Sequence, residues 1–310
     1  VGAKHVASTG LYISEDKEAI EGTVQMLLEC QVNFNVVNTL EDWSEIETLI
    51  ITSGGVLEKD IPKIEAFVDN GGKILAMGEG IFNNNTPIID IGADYLGPAN
   101  YDVDYTVAEE VIGQNIVPTP FLNYSPALRI QPQEGTEILA AIHEPYFSRT
   151  IAHYSSHKNT PYKNTKAEHP AAIRKENVVY LAHDLDRQYY AEGARLHRDL
   201  FFNSLQLLRK NPMITAEMPS SGRINLLHQP EHNRYVAHLL YATPIQRGSV
   251  RVIEDLVPIY DIPVTANLPQ KIKNAYLVPS GEQISMHWDG SAERMVIPEF
   301  MVHTALVLEY

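Results

Sequence analysis

The stretch Lys73-Ile-Leu-Ala-Met-Gly-Glu-Gly-Ile-Phe82 decides how this chain is read. Lys73–Met77 is an apolar run of strand length, and Gly78-Glu79-Gly80 breaks it with a residue held between two glycines. An apolar strand followed by Gly-x-Gly and a helix start has the outline of a nucleophile elbow. Here the central residue is Glu79, not serine or cysteine. Just upstream, Glu47–Thr52 (ETLIIT) reads as another strand, closed by Ser53-Gly54-Gly55. Leu57, Ile61, Ile64 and Val68 follow at helical spacing, with Pro62 in the first turn, where a missing N–H costs little. Gly71-Gly72 ends that helix.

Outward from this centre the same alternation continues. His5–Ser14 reads as a strand, and Ser14 is placed to cap a helix with Glu15 and Asp16 in its first turn. Ile20, Val24, Leu27 and Leu28 predict that helix's buried stripe. Phe34–Val37 and Asn177–Ala182 are further strand candidates, and a helix is expected over 194–210, stopped by Asn211-Pro212. Continuous apolar strands separated by amphipathic helices predict an α/β fold with a doubly wound parallel sheet. Between 82 and 176 the pattern loosens, with strand candidates at Asp102–Val107 and Glu137–Ile142 and a long polar loop, His143–Pro170. Past 212 the chain changes character. Arg234–Tyr241, Ile259–Ala266, Asn274–Val278, Gln283–His287, Arg294–Ile297 and Val302–Glu309 are short strand candidates, and Asp289-Gly290 is a hairpin signal. These predict an all-β sandwich over 213–310 after an α/β domain over 1–212.

The 310 residues carry 24 Lys and Arg against 39 Asp and Glu, a net charge of −15. This balance argues against nucleic acid or an anionic membrane as partner, since both require clustered cations. No apolar run reaches membrane-spanning length. The single cysteine, Cys30, excludes an intrachain disulfide and a cysteine-rich zinc site, and it reads as a buried small hydrophobe. No cofactor is called for by any motif. The compartment stays open, with the cytoplasm favoured. The first residue is Val1, so a preceding segment is expected.

ETLIITSGG, a helix and KILAMGEG together resemble the core of the class I glutamine amidotransferase-like fold, which implies a flavodoxin-like sheet order. In that family the elbow carries Cys where this chain has Glu79. His183 falls near the expected histidine, while Leu185 stands at the acidic position. A closer resemblance covers nearly the whole chain. Glu144-Pro-Tyr-Phe-Ser-Arg-Thr150, the Ser156-His157-x-x-Thr160-Pro161 loop, the helix Arg195–Leu208 and RYVAHLLYA (Arg234–Ala242) resemble the C-terminal part of family 42 β-galactosidases and related hypothetical glycosyl hydrolases. There a catalytic barrel is followed by an amidotransferase-like trimerisation domain and a small β-domain. The resemblance implies a non-catalytic region that forms homo-oligomer contacts and shapes the mouth of a sugar site, with a barrel upstream. A barrel needs about 200 or more residues of βα repeats, and the βα pattern here gives way to β too early to supply one.

Glu79 and His183 are the candidates for chemistry, Glu79 as a base or as a ligand of a sugar hydroxyl. Arg149, His153, Tyr154, His157 and Tyr162 are candidates for carbohydrate or subunit contact. His153 and His157 have the i, i+4 spacing of metal ligands, but Ser155-Ser156 and Thr160-Pro161 make a loop of that segment, so no metal is expected. Trp288, beside the hairpin signal, is either a sandwich-edge residue or a platform for a sugar ring. Three functions stay open: an accessory oligomerisation region, a stand-alone hydrolase using Glu79 and His183, and a carbohydrate-binding module.

Overall fold

The computed structural model describes residues 2–154 and 159–310. The chain forms two compact units. One holds residues 10–26 and 36–210, and the other gathers 1–9, 27–35 and 211–310. The sequence reading draws a single boundary near residue 212, whereas the units found draw two short N-terminal segments in with the C-terminal hundred residues.

The first unit is built on a nine-stranded sheet. Its order is Phe121–Asn123, Asp104–Ala108, Glu137–His143, Pro170–Lys175, Val178–Leu181, Lys73–Met77, Thr48–Ile51, Thr9–Tyr12 and Asn35–Val37. Thr48–Ile51, Lys73–Met77 and Val178–Leu181 run parallel to one another. From Val178–Leu181 to Phe121–Asn123 every pairing is antiparallel. The sheet is therefore mixed, not the parallel sheet expected. The reason lies in the connections: parallel neighbours need long crossovers, usually a helix. Among its described residues the segment 83–176 contains no α-helix, only a 3₁₀ turn at Glu110–Ile112 and loops between its strands.

The central strands are continuous apolar runs because both faces are covered. Thr48–Ile51 and Ile74–Met77 are buried at every position. Four α-helices flank them: α1 (Lys17–Glu29), α2 (Ile61–Asp69), α3 (Leu185–Glu192) and α4 (Arg195–Gln206). The cap of α1 is Asp16, not Ser14: Ala19 N–H donates to Asp16 Oδ1 at 2.9 Å, while Ser14 Oγ lies 3.2 Å from Thr52 Oγ1. The buried face of α1 is Ala19, Gly22, Thr23, Met26 and Leu27, rotated from the expected stripe. Small residues sit inside because α3 crosses closely; a Cβ on Gly22 would lie 2.0 Å from the Asp186 carbonyl oxygen. Asp16 also accepts from Arg187 through Nε at 3.0 Å and Nη2 at 2.6 Å. Losing an N-cap acceptor costs about 1 kcal/mol and up to about 2. Asp16→Ala should fall in that range in urea denaturation, and Asp16→Asn, which keeps an acceptor, should recover most of it.

The second unit pairs two antiparallel sheets. The five-stranded sheet runs Lys4–His5, Gly222–Gln229, Arg234–Tyr241, Val302–Glu309, Asn274–Val278. The four-stranded sheet runs Ile214–Ala216, Ile259–Ala266, Glu293–Phe300, His287–Trp288. Alternate residues of both, among them Leu226, Ala237, Leu239, Leu306, Val264, Met295 and Ile297, share one buried cluster. This is the period-2 pattern of a sheet with one face inward. Cys30, one residue past the end of α1, is half-buried and so less enclosed than the sequence reading expects.

Candidate functional site

The site starts from the Gly-Glu-Gly turn. Gly78 has φ +50°, a left-handed conformation that a Cβ disfavours. Gly80 is required for a different reason: a Cβ there would lie 1.8 Å from the Thr52 carbonyl oxygen. The turn is therefore pressed onto the end of the neighbouring strand. It winds one 3₁₀ turn, Gly78–Ile81, and passes directly into a hairpin, Phe82–Asn83 with Thr86–Pro87. No α-helix follows, so the helix start read after the Gly-x-Gly is a single 3₁₀ turn. Asn84 and Asn85 both have positive φ, as a two-residue type I′ turn demands. The run Asn83-Asn84-Asn85 was the signal for this hairpin, since asparagine tolerates that conformation.

Glu79 is exposed and opens onto a cleft of about 350 Å³ beyond the carboxyl ends of the parallel strands. Ligands of α/β sheets bind at that edge. Arg187, Asn84, Asn85, Tyr95 and Phe82 line the cleft with Glu79, and Ser53-Gly54-Gly55 closes one side. The aromatic wall is pinned. Phe82 packs on Tyr95 at 5.1 Å and edge-on to buried Tyr180 at 5.8 Å, and Tyr180 Oη donates to the Gly78 carbonyl at 3.1 Å. Behind the cleft, Asp186 is fully buried. It accepts from Ser53 N–H at 2.7 Å, Ser53 Oγ at 2.5 Å and Arg187 N–H at 2.8 Å. Burial outweighs these donors and raises its carboxyl to about 6. Arg187 is the group that sequence reasoning missed, because nothing near it in sequence marks it as facing Glu79.

His183 lies just past the end of the strand Val178–Leu181 and does not line this cleft. It is buried, and its Nε2 lies 2.8 Å from Asp104 Oδ1. Its hydrogen-bond partner is thus Asp104 and not Glu79. Asp104 also accepts from Asn123 Nδ2 and from Ala127 N–H, each at 2.8 Å. Burial would raise the Asp104 carboxyl, but the His183 charge and these hydrogen bonds hold it below the usual carboxylate range. Beside the pair, His197 donates from Nε2 to the Leu122 carbonyl at 3.2 Å. Burial, helped by His183, pushes the His197 imidazole down to about 4. A carboxylate inside the strand Asp104–Ala108 was the sequence signal for this buried network.

The loop candidates divide into two groups. Tyr162 is half-buried and structural: its ring packs against Tyr105 at 5.1 Å and His143 at 5.9 Å. The base of the loop is closed by the Pro145–Tyr162 bridge and by Lys163, whose Nζ reaches Tyr101 Oη at 3.0 Å and Glu144 Oε2 at 3.3 Å. Arg149, His153 and Tyr154 are exposed, with Tyr146 and Ile151 beside them in sequence. His157 lies outside the described residues. Among the described residues no cluster of three or more His, Cys, Asp or Glu could hold a metal ion. No described helix is long and apolar enough to cross a membrane.

No protein-family model matches the sequence, and no curated protein matches it. Solved structures do. All of this chain superposes on 49% of an α-L-fucosidase isoenzyme 2 from Paenibacillus thiaminolyticus, with TM-score 0.94 and 26% identity. A β-galactosidase from Bacillus circulans sp. alkalophilus matches 99% of the chain over 42% of its own length, with TM-score 0.59 and 11% identity. A GH42 β-galactosidase from G. stearothermophilus, solved as a catalytic mutant, matches 98% over 40%, with TM-score 0.55 and 12% identity. The likeness to the two β-galactosidases is one of fold. The chain spans about half the length of the fucosidase. Its architecture is that of a glycoside hydrolase-related region.

Proposed function

We propose that this chain is the accessory and oligomer-forming region of a glycoside hydrolase-like protein whose catalytic barrel lies in another segment. The observation that carries this reading is the superposition of the entire chain on one half of a fucosidase. The mixed sheet bearing the Gly-Glu-Gly turn is the counterpart of the amidotransferase-like trimerisation domain, and the sandwich is the counterpart of the small β-domain.

The chemistry of the cleft supports an accessory role. Glycoside hydrolysis typically uses two carboxyl groups flanking the scissile bond, roughly 5–9.5 Å apart. Among the described residues lining the cleft, Glu79 is the only acid. The His183 ring is engaged with Asp104, so the pair needed for an independent hydrolase is not assembled around Glu79. Glu79, Arg187 and the two asparagines are instead suited to hydrogen-bonding a neutral polyol or a polar surface of a neighbouring subunit. The exposed Arg149, His153 and Tyr154 are assigned to subunit contact.

Light scattering tests the reading. The purified chain should run as a homo-oligomer, and Arg149→Ala with Tyr154→Ala should shift it toward monomer. It should release no nitrophenol from a panel of nitrophenyl glycosides. A monomer at all concentrations, or a glycosidase activity abolished by Glu79→Gln, would overturn it.

A further inference from the structure

A separate cleft lies in the sandwich unit, beside Trp288. Its indole is 56% exposed, unusual for the largest apolar side chain. Trp288 ends the edge strand His287–Trp288, directly opposite Glu293 in the antiparallel register. Directly paired residues point to the same face. The ring and the Glu293 carboxylate therefore share one wall of a cleft of about 470 Å³. Leu268, Pro269, Gln270 and Lys271 form the other wall.

The backbone beside Trp288 is tied down by its hairpin. In the hairpin after Trp288, Asp289 Oδ1 accepts from Ser291 N–H at 2.8 Å, Ser291 Oγ at 2.8 Å and Ala292 N–H at 2.9 Å. Asp289 Oδ2 accepts from Arg294 Nε at 2.5 Å, and Gly290 takes φ +101°. Opposite, Tyr235 Oη donates to Gln270 Oε1 at 2.6 Å. That bond fixes the Gln270 amide and leaves its NH₂ as the donating end.

We propose that this cleft binds a neutral saccharide, one pyranose ring stacking on Trp288 while Gln270 and Lys271 donate to its hydroxyls and Glu293 accepts from them. The alternatives fit less well. A peptide strand added to the edge would find a strand of only two residues to pair with. A quaternary ammonium ligand wants an aromatic cage and no cation nearby, but the cleft offers one aromatic ring and includes Lys271. An acidic ligand would meet Glu293 and a chain of net charge −15. A sugar uses an aromatic face together with mixed donors and acceptors, as this cleft presents them.

The chain carries its own reporter. It has two tryptophans, and Trp43 is buried, so acrylamide quenching reads Trp288. D-galactose, L-fucose, D-mannose, lactose and cellobiose are the probes, with choline as the cationic control. At least one sugar should protect Trp288 saturably, with the same contacts seen by saturation-transfer NMR. By NMR, Trp288→Ala should weaken binding about tenfold or more, the scale of a central aromatic contact. Glu293→Gln, which keeps the reporter, should weaken it less. Trp288 is exposed, so circular dichroism should show both variants folded. No protection by any sugar, protection by choline alone, or unchanged NMR binding in Trp288→Ala would overturn the proposal. The oligomeric state of Trp288→Ala should match the wild type, so failure here and failure of the accessory reading are separable.

Discussion

Gly80→Ala is expected to destabilise the first unit by about 3 kcal/mol or more, the upper range for overpacking a closed interior. The new methyl carbon would sit 1.8 Å from the Thr52 carbonyl oxygen, 2.8 Å from its carbon and 3.1 Å from Ser53 Cα. All three are backbone atoms, so no flexible side chain can turn aside. Thr52 and Ser53 are themselves buried, and Ser53 is tied to Asp186 by two hydrogen bonds. The neighbouring glycine makes the control. Gly78→Ala meets Ser53 Cβ at 3.2 Å and adopts φ +50°, so its cost is mainly that of a left-handed alanine, about 1–2 kcal/mol. Glu79→Gln, on an exposed side chain between them, should stay within about 0.5 kcal/mol. Urea denaturation of the three variants checks the order. Equal effects for Gly78→Ala and Gly80→Ala would mean that the turn does not press on the strand end.

The second large effect is a pair of opposed pH dependences that cancel in the wild type. His197 titrates at about 4 when folded and at its ordinary 6.5 when unfolded. Between these values the unfolded chain binds the extra proton, so His197 makes stability rise with pH. Asp186 titrates at about 6 when folded and at 3.8 when unfolded. Between these the folded chain holds the extra proton, so Asp186 makes stability fall with pH. Each contribution amounts to about 3 kcal/mol at 1.36 kcal/mol per pKa unit. His183 and Asp104 act on His197, and Asp184 acts on Asp186 in addition to its hydrogen bonds with Ser53 and Arg187. Relative to wild type between pH 4 and 6.5, Asp186→Asn should tilt the profile upward with pH and His197→Gln downward. Urea titrations at several pH values read this directly. Parallel profiles for all three proteins would show that neither group is held away from its ordinary protonation.

The first of these predictions has a sequence origin and the second does not. Gly-Glu-Gly after an apolar strand marks a tight turn wherever it occurs, and that turn is where the chain places it. Lys73–Met77 and Thr48–Ile51 were legible for the same reason: continuous apolar runs bounded by glycines and polar residues. Strands at Arg234–Tyr241, Ile259–Ala266, Asn274–Val278 and Val302–Glu309 were legible from their spacing and turns. Helix α3 was not. Its buried residues include Asp186 and Gln188, which no hydrophobic periodicity counts as core. Pro170–Lys175 and Gly222–Gln229 were missed as strands, the first because a proline opens it beside a polar loop. In the candidate site, Glu79 was visible between its glycines, but its cleft neighbours Tyr95 and Arg187 come from distant segments.

By itself, then, the sequence determined what sterics settle within a few residues. The glycine turns, the proline in the first turn of α2, the buried central strands and the Asp-Gly hairpin under Trp288 are all of this kind. The tertiary structure decided which polar groups pair: buried His183 with Asp104, buried Asp186 with Ser53, and half-exposed Arg187 with Asp16. It also made the sheet mixed and brought Arg187 and Tyr95 to the Glu79 cleft. The physical reason is range. Backbone conformation is set by neighbours in sequence, whereas desolvation and hydrogen-bond pairing are set by strand order. That order joins residues tens to more than a hundred positions apart, as the Ser53–Asp186 bond does across 133.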